Sequence, residues 1–239
     1  MNTSKGKFWD EGIQLIDGCT PCSPGCEHCW SAAITARFDQ SFLPLTDINK
    51  KFYGKIVCHP ERLSRFNKKK PTVFAIWNDF WHEDVGDGLR FIAYDIMEKT
   101  PWHTYLILTK RPQNIHIKGK LDNVYHGLTV CTQAEADEKI PIFLQVPGKK
   151  FLCLEPLLEN IDFYDQTNLS EQGLGCLILG CETGAHRRPM RLEWAENIIE
   201  QCDTMDVPVF VKAIEINGKV EKDISKWPEK FRRRELPWG

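Results

Sequence analysis

The sequence predicts an α/β fold of about six parallel strands alternating with helices, a partial (β/α) barrel preceded by a cysteine-rich loop. Three observations lead there. Six short apolar runs lack the polar alternation of a half-exposed strand, so each is expected to be covered on both faces of a parallel sheet. Stretches with helical spacing separate them, as parallel crossovers require. Finally, four of the ten cysteines crowd between Cys19 and Cys29.

The strands are expected at 73–77 (VFAIW), 105–108 (YLIL), 124–130 (VYHGLTV), 151–154 (FLCL), 176–180 (CLILG) and 207–211 (VPVFV). Their β-branched and aromatic content suits a pleated, buried surface. Helices are expected over 88–98, over 192–201 with Trp194, Ile198 and Ile199 on one face, and, with a weaker pattern, over 133–143. A loop and first helix occupy residues 1–40. The whole of 1–239 reads as one domain, a length that buries a sizeable core. Residues 218–239 read as a basic extension, with Lys230–Phe231–Arg232–Arg233–Arg234 as a solvated tail.

Composition is ordinary for a globular protein, 42% hydrophobic and 27% charged with a net charge of −2. No run approaches the roughly 20 apolar residues of a membrane span, so no membrane partner is expected. No apolar signal-type stretch follows Met1–Lys7, and a cytoplasmic location is expected.

Polar residues follow each strand directly: Asn78-Asp79, Thr109-Lys110-Arg111, Cys131-Thr132-Gln133, Glu155-Pro156, Cys181-Glu182 and Lys212. The carboxyl ends of parallel strands are where α/β folds bind ligands, so these residues are expected to share a site. Lys110 and Arg111 suit a phosphate or carboxylate, or serve as ion partners of the strand-end acids. Trp77 and Trp81 offer faces on which a base could stack, or belong to the core. Three adjacent residues of regular structure cannot point at one ion, so His82, Glu83 and Asp84 read as the start of a helix, with acids favoured by its dipole.

The segment from Gly18 to Trp30, GCTPCSPGCEHCW, is a loop by its prolines and glycines, so its sulfurs can converge. A disulfide is disfavoured in a reducing compartment. Structural zinc sites pair two cysteine hairpins far apart in sequence, whereas soft thiolates packed into one loop suit an iron–sulfur cluster. The other six cysteines sit mostly in apolar company and read as core. Cys181 is close enough to its strand end to enter the cleft.

Cys22, Cys26 and Cys29 form C-x3-C-x2-C, the spacing of the radical S-adenosylmethionine (SAM) superfamily. A closer resemblance covers most of the chain. Trp9, Gly18-Cys19-Thr20, Ser23-Pro24-Gly25-Cys26, Cys29-Trp30, Leu108–Pro112, Leu154–Leu158, Gly180–Gly184, Arg188-Pro189-Met190 and Phe210-Val211-Lys212 resemble the landmarks of the phage-associated three-cysteine-motif family, a radical-SAM-like family. That family's C-x6-C-x2-C falls on Cys19, Cys26 and Cys29. Cys26 and Cys29 belong to both patterns, and Cys19 and Cys22 compete for the third place, with the family pattern favouring Cys19.

The resemblance implies a barrel of the radical SAM type holding a [4Fe-4S] cluster. In that superfamily the iron left open by three cysteines chelates SAM, and an electron from the cluster cleaves the sulfonium to a deoxyadenosyl radical. It further implies an electron donor, a bacterial or phage-infected cell, and a nucleotide or nucleic-acid substrate. Glu155, Glu182 and Asn78 are the expected SAM contacts, and Asp79, Lys110, Arg111 and Lys212 the substrate side. The rival reading is a nonenzymatic nucleic-acid-binding protein with a four-cysteine structural zinc loop.

Overall fold

The computed structural model describes residues 3–38, 44–117, 119–163, 169–184 and 186–238. In chain order its regular elements are β1 (Glu11–Ile13), β2 (Ile16–Asp17), α1 (Trp30–Phe38), β3 (Val57–Cys58), β4 (Val73–Ile76), α2 (Asp87–Lys99), β5 (Thr104–Thr109), β6 (Val124–Thr129), α3 (Gln133–Leu144), β7 (Lys149–Leu154), β8 (Leu174–Gly180), α4 (Leu192–Thr204), β9 (Val209–Ile216) and β10 (Lys219–Glu221). Eight strands form one sheet in the order β1-β4-β5-β6-β7-β8-β9-β10. Only β10 runs antiparallel, as a hairpin on β9, and β2 with β3 makes a separate small ladder.

All six expected strands are present, each joined to the next in parallel. The sequence reading missed β1, which pairs in parallel with β4 through Glu11–Phe74, Gly12–Ala75 and Ile13–Ile76. Three residues without a long apolar run carry too little periodicity to be recognised alone. The helices expected at 88–98, 133–143 and 192–201 are α2, α3 and α4, each within a few residues. α3 carries Pro141 in its interior, which explains its weak signal, but Thr132 caps it by accepting a hydrogen bond from the Glu135 amide.

Because strand side chains alternate between faces, the sheet divides its residues into two sets. Phe74, Ile76, Tyr105 and Ile107 meet Leu89, Ala93 and Met97 of α2. Leu128, Leu152, Leu154, Leu177 and Val209 meet Ala136, Ile140 and Phe143 of α3 and Ala195, Ile198 and Ile199 of α4. The other parity, Val73, Leu106, Tyr125, Phe151, Cys153, Cys176, Ile178 and Phe210, forms a third cluster with Phe8 and, less buried, Trp9, Leu108 and Trp238. Here the Trp238 indole donates to the Phe8 carbonyl at 2.9 Å. With the strands in unbroken sequence order, α2, α3 and α4 all pack against one parity of the sheet, which leaves the opposite face for a site.

The expectation of a solvated basic tail is corrected. Residues Arg233 and Glu235 pair through their backbones with Val211 and Val209, and Trp227 and Phe231 are buried in the helix-side core. The Arg234 guanidinium lies between the rings of Phe210 and Trp227, at 4.7 and 4.9 Å from their centroids. Apolar anchors spaced among the charges pull the segment onto the sheet edge. Among the described residues no helix is long and apolar enough to cross a membrane.

On the cavity face, Gly127 gives Phe151 and Leu108 room: a Cβ there would lie 2.2 Å from Phe151 Cζ and 2.6 Å from Leu108 Cδ1. Gly127→Ala is therefore expected to destabilise the protein by about 1–3 kcal/mol through overpacking, read as a lower urea midpoint with an unchanged slope.

Candidate metal and ligand site

Between the 3-10 turn at Pro24–Cys26 and α1, the cysteine loop is a succession of tight turns. Ser23 opens the turn, its hydroxyl accepting from the Gly25 amide at 3.1 Å, and the Cys26 amide donates to the Ser23 carbonyl at 2.9 Å. The Cys29 carbonyl accepts from the Ala33 amide at 3.1 Å, so Cys29 stands where α1 begins. Gly18 is required at the other end: its φ is +89°, and a Cβ would meet the Lys55 carbonyl oxygen at 1.9 Å. Gly25 lies against Cys131, whose sulfur would be 2.5 Å from an added Cβ.

Long-range contacts hold this loop over the carboxyl ends of the strands. Arg111 donates Nη2 to the Thr20 carbonyl at 2.7 Å and approaches Cys19 Sγ at 4.0 Å. Its remaining donors meet Asp79 Oδ2 at 2.7 Å and Glu83 Oε2 at 2.8 Å. Asp79 in turn accepts from the Thr109 hydroxyl at 2.7 Å and the Trp81 amide at 3.1 Å. His82 Nδ1 accepts from the Asp84 amide, so the proton of the neutral ring sits on Nε2, which donates to Thr20 Oγ1 at 2.8 Å. Desolvation lowers the pKa of His82, and Arg111 lowers it further, which keeps that tautomer neutral.

The reading of His82, Glu83 and Asp84 as a helix start is therefore corrected: α2 begins later, at Asp87 with Gly86 as cap. Their segment braces the cysteine loop. Trp81 is also removed as a stacking surface, since it is fully buried, with the Arg90 guanidinium 5.2 Å from its ring centroid.

All four loop cysteines line one cavity of about 190 Å³, together with Asn78, Asp79, Lys110, Arg111, Glu155 and Lys212. Its walls are aromatic as well. Trp30 stands edge-to-face on Trp77 at 5.0 Å, Trp77 on Trp9 at 6.4 Å, and Trp9 on Phe8 at 4.5 Å. Thr129 Oγ1 lines the cavity, buried and without a hydrogen-bond partner among the described residues.

The expected site residues separate into groups. Lys110 continues the cavity-face series Leu106–Leu108. Burial opposes its charge, but Cys131, Cys26, Cys29 and Cys153 outweigh that and raise its pKa. Arg111, one residue on, ties down the loop, which is the ion-partner role, and Asp79 is its counter-ion. Glu155 and Lys212 pair with each other across the cavity, with Lys212 5.8 Å from the Trp9 ring centroid. Asn78, at φ +61°, accepts from the Ser31 hydroxyl at 2.5 Å and donates to the Ile16 carbonyl at 2.7 Å, so it too anchors the loop. Glu182 is not among the lining residues: it accepts from His28 Nδ1 at 3.0 Å and from the Arg188 amide at 2.6 Å. Cys181, read as core with the cleft as the alternative, is fully buried in the helix-side core, while Cys153, also read as core, lines the cavity.

Within the loop, a hydrogen bond from Cys22 pulls the pKa of Cys26 down despite burial, with Lys110 adding its charge. That same bond, then burial, pushes Cys22 up. Burial raises Cys19 to about 12, with Asp79 adding and Arg111 opposing, and with Cys26 and Cys29 both felt. Among the described residues no three His, Cys, Asp or Glu side chains already surround a point that would hold a metal ion. The donor set nevertheless fits a thiolate-bound group: Cys19, Cys26 and Cys29 are half-buried and Cys22 exposed, all on one cavity and one loop, beside the half-buried Lys110.

Over residues 3–235 the chain matches the family described as "Protein of unknown function (DUF5131)". The chain belongs to this family. No curated protein and no solved structure matches it. For DUF5131 the description names no activity.

Phe8, Trp9, Trp30 and Thr129 were not singled out for the site. Extending the alternation of β6, Tyr125–Gly127–Thr129, would have found Thr129. Nothing local marks Phe8, and Trp9 stands out only as a landmark of the family resemblance, because both reach the cavity from another part of the chain.

Two measurements probe these braces. Arg111→Met leaves Asp79 buried and unpaired, both side chains being about 6–7% exposed; a loss of about 3–5 kcal/mol in denaturant unfolding is expected. Glu182 is held at about 2, against burial, by Arg188 and His28. A carboxylate depressed in the folded state contributes stability above its ordinary pKa of 4.5 and loses it as the pH falls toward 2. The stability gap between wild type and Glu182→Gln should close from about 3 kcal/mol near neutrality to near zero at about pH 2.

Proposed function

We propose that this protein is a radical SAM-like enzyme whose cysteine loop holds a [4Fe-4S] cluster, and that its sheet is the partial barrel of that superfamily. The observation that carries the reading is the placement of Cys19, Cys22, Cys26 and Cys29 on one cavity at the carboxyl ends of the parallel strands. Cys26 and Cys29 would ligate the cluster. Cys19 is the favoured third ligand by the family spacing and is half-buried, while Cys22 is the more exposed thiol. When bound, the cluster would supply the electron that cleaves SAM.

The chain's own residues provide the surroundings. Lys110 offsets the negative charge of the thiolates. Arg111, Asn78 and Glu182 keep the loop in register with the strands. Glu155 and Lys212 offer a carboxylate and an ammonium to a zwitterionic ligand, and Trp9, Trp77 and Trp30 exclude water from its apolar part. A nucleotide or nucleic acid is the proposed substrate class, supported by this aromatic wall beside Lys110 and Lys212, and an external electron donor is required.

Anaerobic reconstitution followed by iron, sulfide and zinc analysis tests the reading. About four irons per chain and a paramagnetic resonance spectrum altered by SAM are expected. Cys26→Ser and Cys29→Ser should each lower iron to under about a tenth, and Cys22→Ser should retain more than Cys19→Ser. One zinc and no iron would overturn the proposal in favour of the four-cysteine zinc reading.

A further inference from the structure

Exposed apolar surface is unevenly distributed. Of the ten large hydrophobic residues exposed among the described residues, six lie between 30 and 57: Trp30, Ile34, Phe38, Ile48, Tyr53 and Val57. Trp30, Ile34 and Phe38 follow each other at four-residue intervals, so they form one stripe along α1, about 6 Å apart along its axis. The 44–58 segment is held to the cysteine loop, with the Gly54 amide donating to the Cys19 carbonyl at 3.1 Å and Lys51 paired with Glu27 at 2.6 Å, and its Phe52 lines the cavity together with Trp30. An apolar patch concentrated beside a cavity marks a binding surface.

Exposed cations without an acidic partner among the described residues gather on the same stretch. Glu11 is paired with Arg65 and Lys68, Asp17 with His59 and Arg62, and Glu27 with Lys51; Asp10 accepts from the Val73 amide, and Asp47 accepts from the amides of Asn49 and Lys51 and keeps its charge. Lys5, Lys7, Arg37 and Lys50 are exposed and have no acidic partner among the described residues. The partner that fits is therefore polyanionic, with flat apolar groups to lay on aromatic rings.

We infer that a single-stranded nucleic acid docks across the cavity mouth, its bases on Trp30, Phe38 and Tyr53 and its phosphates on Arg37, Lys50 and the Lys5–Lys7 segment. Trp30 links this surface to the interior, because it is 49% exposed and also meets Trp77 on the cavity wall at 5.0 Å. One unstacked base could follow that wall inward. A duplex keeps its base faces stacked and would use only the charges. The inference rests on the proposed enzyme reading and narrows its substrate class to single strands docked at this surface, but docking itself does not need the cluster.

The test is fluorescence anisotropy of labelled single-stranded DNA and RNA oligonucleotides and of the matching DNA duplex, with the full chain, before and after cluster reconstitution. Single strands should bind at least about tenfold tighter than the duplex, with affinity falling steeply with salt. Phe38→Ser with Tyr53→Ser, and Arg37→Glu with Lys50→Glu, should each weaken binding about tenfold or more while thermal unfolding stays unchanged. Phe91→Ser, at an exposed site on α2, should leave binding as it was. Absence of single-strand binding, equal affinity for the duplex, or indifference to both double variants overturns the inference. So does a dimer that Phe38→Ser with Tyr53→Ser splits, since the stripe would then belong to a second copy. Binding by a protein that takes up no iron sinks the enzyme reading and keeps the docking surface; an iron-loaded protein blind to oligonucleotides does the reverse.

Discussion

Arg111 and Asp79 join the two halves of the candidate site. The cysteine loop has no hydrogen-bond ladder of its own to fix it over the sheet, and Arg111 supplies that link. Its planar fork reaches Asp79, Glu83, the Thr20 carbonyl and Cys19, which no lysine could do with a single ammonium. A buried ion pair contributes little net stability when set against an apolar replacement. Its value here is positional, because one side chain sets the loop against the ends of β4 and β5.

A second constraint is the unbroken strand order. With each parallel strand beside its predecessor and the helices gathered on one face, the other parity of every strand is free to build a cavity. Lys110, Thr129, Cys153, Glu155 and Lys212 come from four strands and reach it for the same reason: each stands an even number of residues beyond a cavity-facing residue of its strand. The Glu155–Lys212 pair and the thiol-ringed Lys110 make that cavity both zwitterionic and sulfur-rich. The site proposed for a cluster and the surface proposed for nucleic acid meet at Trp30, which follows Cys29 directly and opens α1.

Much of this was legible in advance. The six buried strands declared themselves because continuous apolar runs have few other uses in a chain of this composition, and their polar successors do gather at one end of the sheet. The roles within that set were not legible. Arg111 and Lys110 are neighbours in sequence with similar chemistry, yet one ties down a loop and the other faces the thiols, because alternation sends adjacent residues in different directions. Glu182 follows its strand as Glu155 does, but His28 and Arg188 capture it outside the cavity. The basic segment at 230–234 read as solvated because a charge run is visible locally, whereas the burial of Trp227 and Phe231 depends on a partner surface elsewhere.

The sequence by itself determined the α/β class, the strand-and-helix order and the clustering of four thiols in one turn-rich loop, since periodicity, turn chemistry and spacing are local properties. The tertiary structure alone decided which strand-end residues face the cavity, which of them are consumed as braces, and which distant aromatics wall it. Those outcomes rest on pairings between residues such as Thr20 and Arg111, His28 and Glu182, or Trp9 and Trp77, far apart in the chain. No local pattern records a contact whose two halves meet only when the sheet is built.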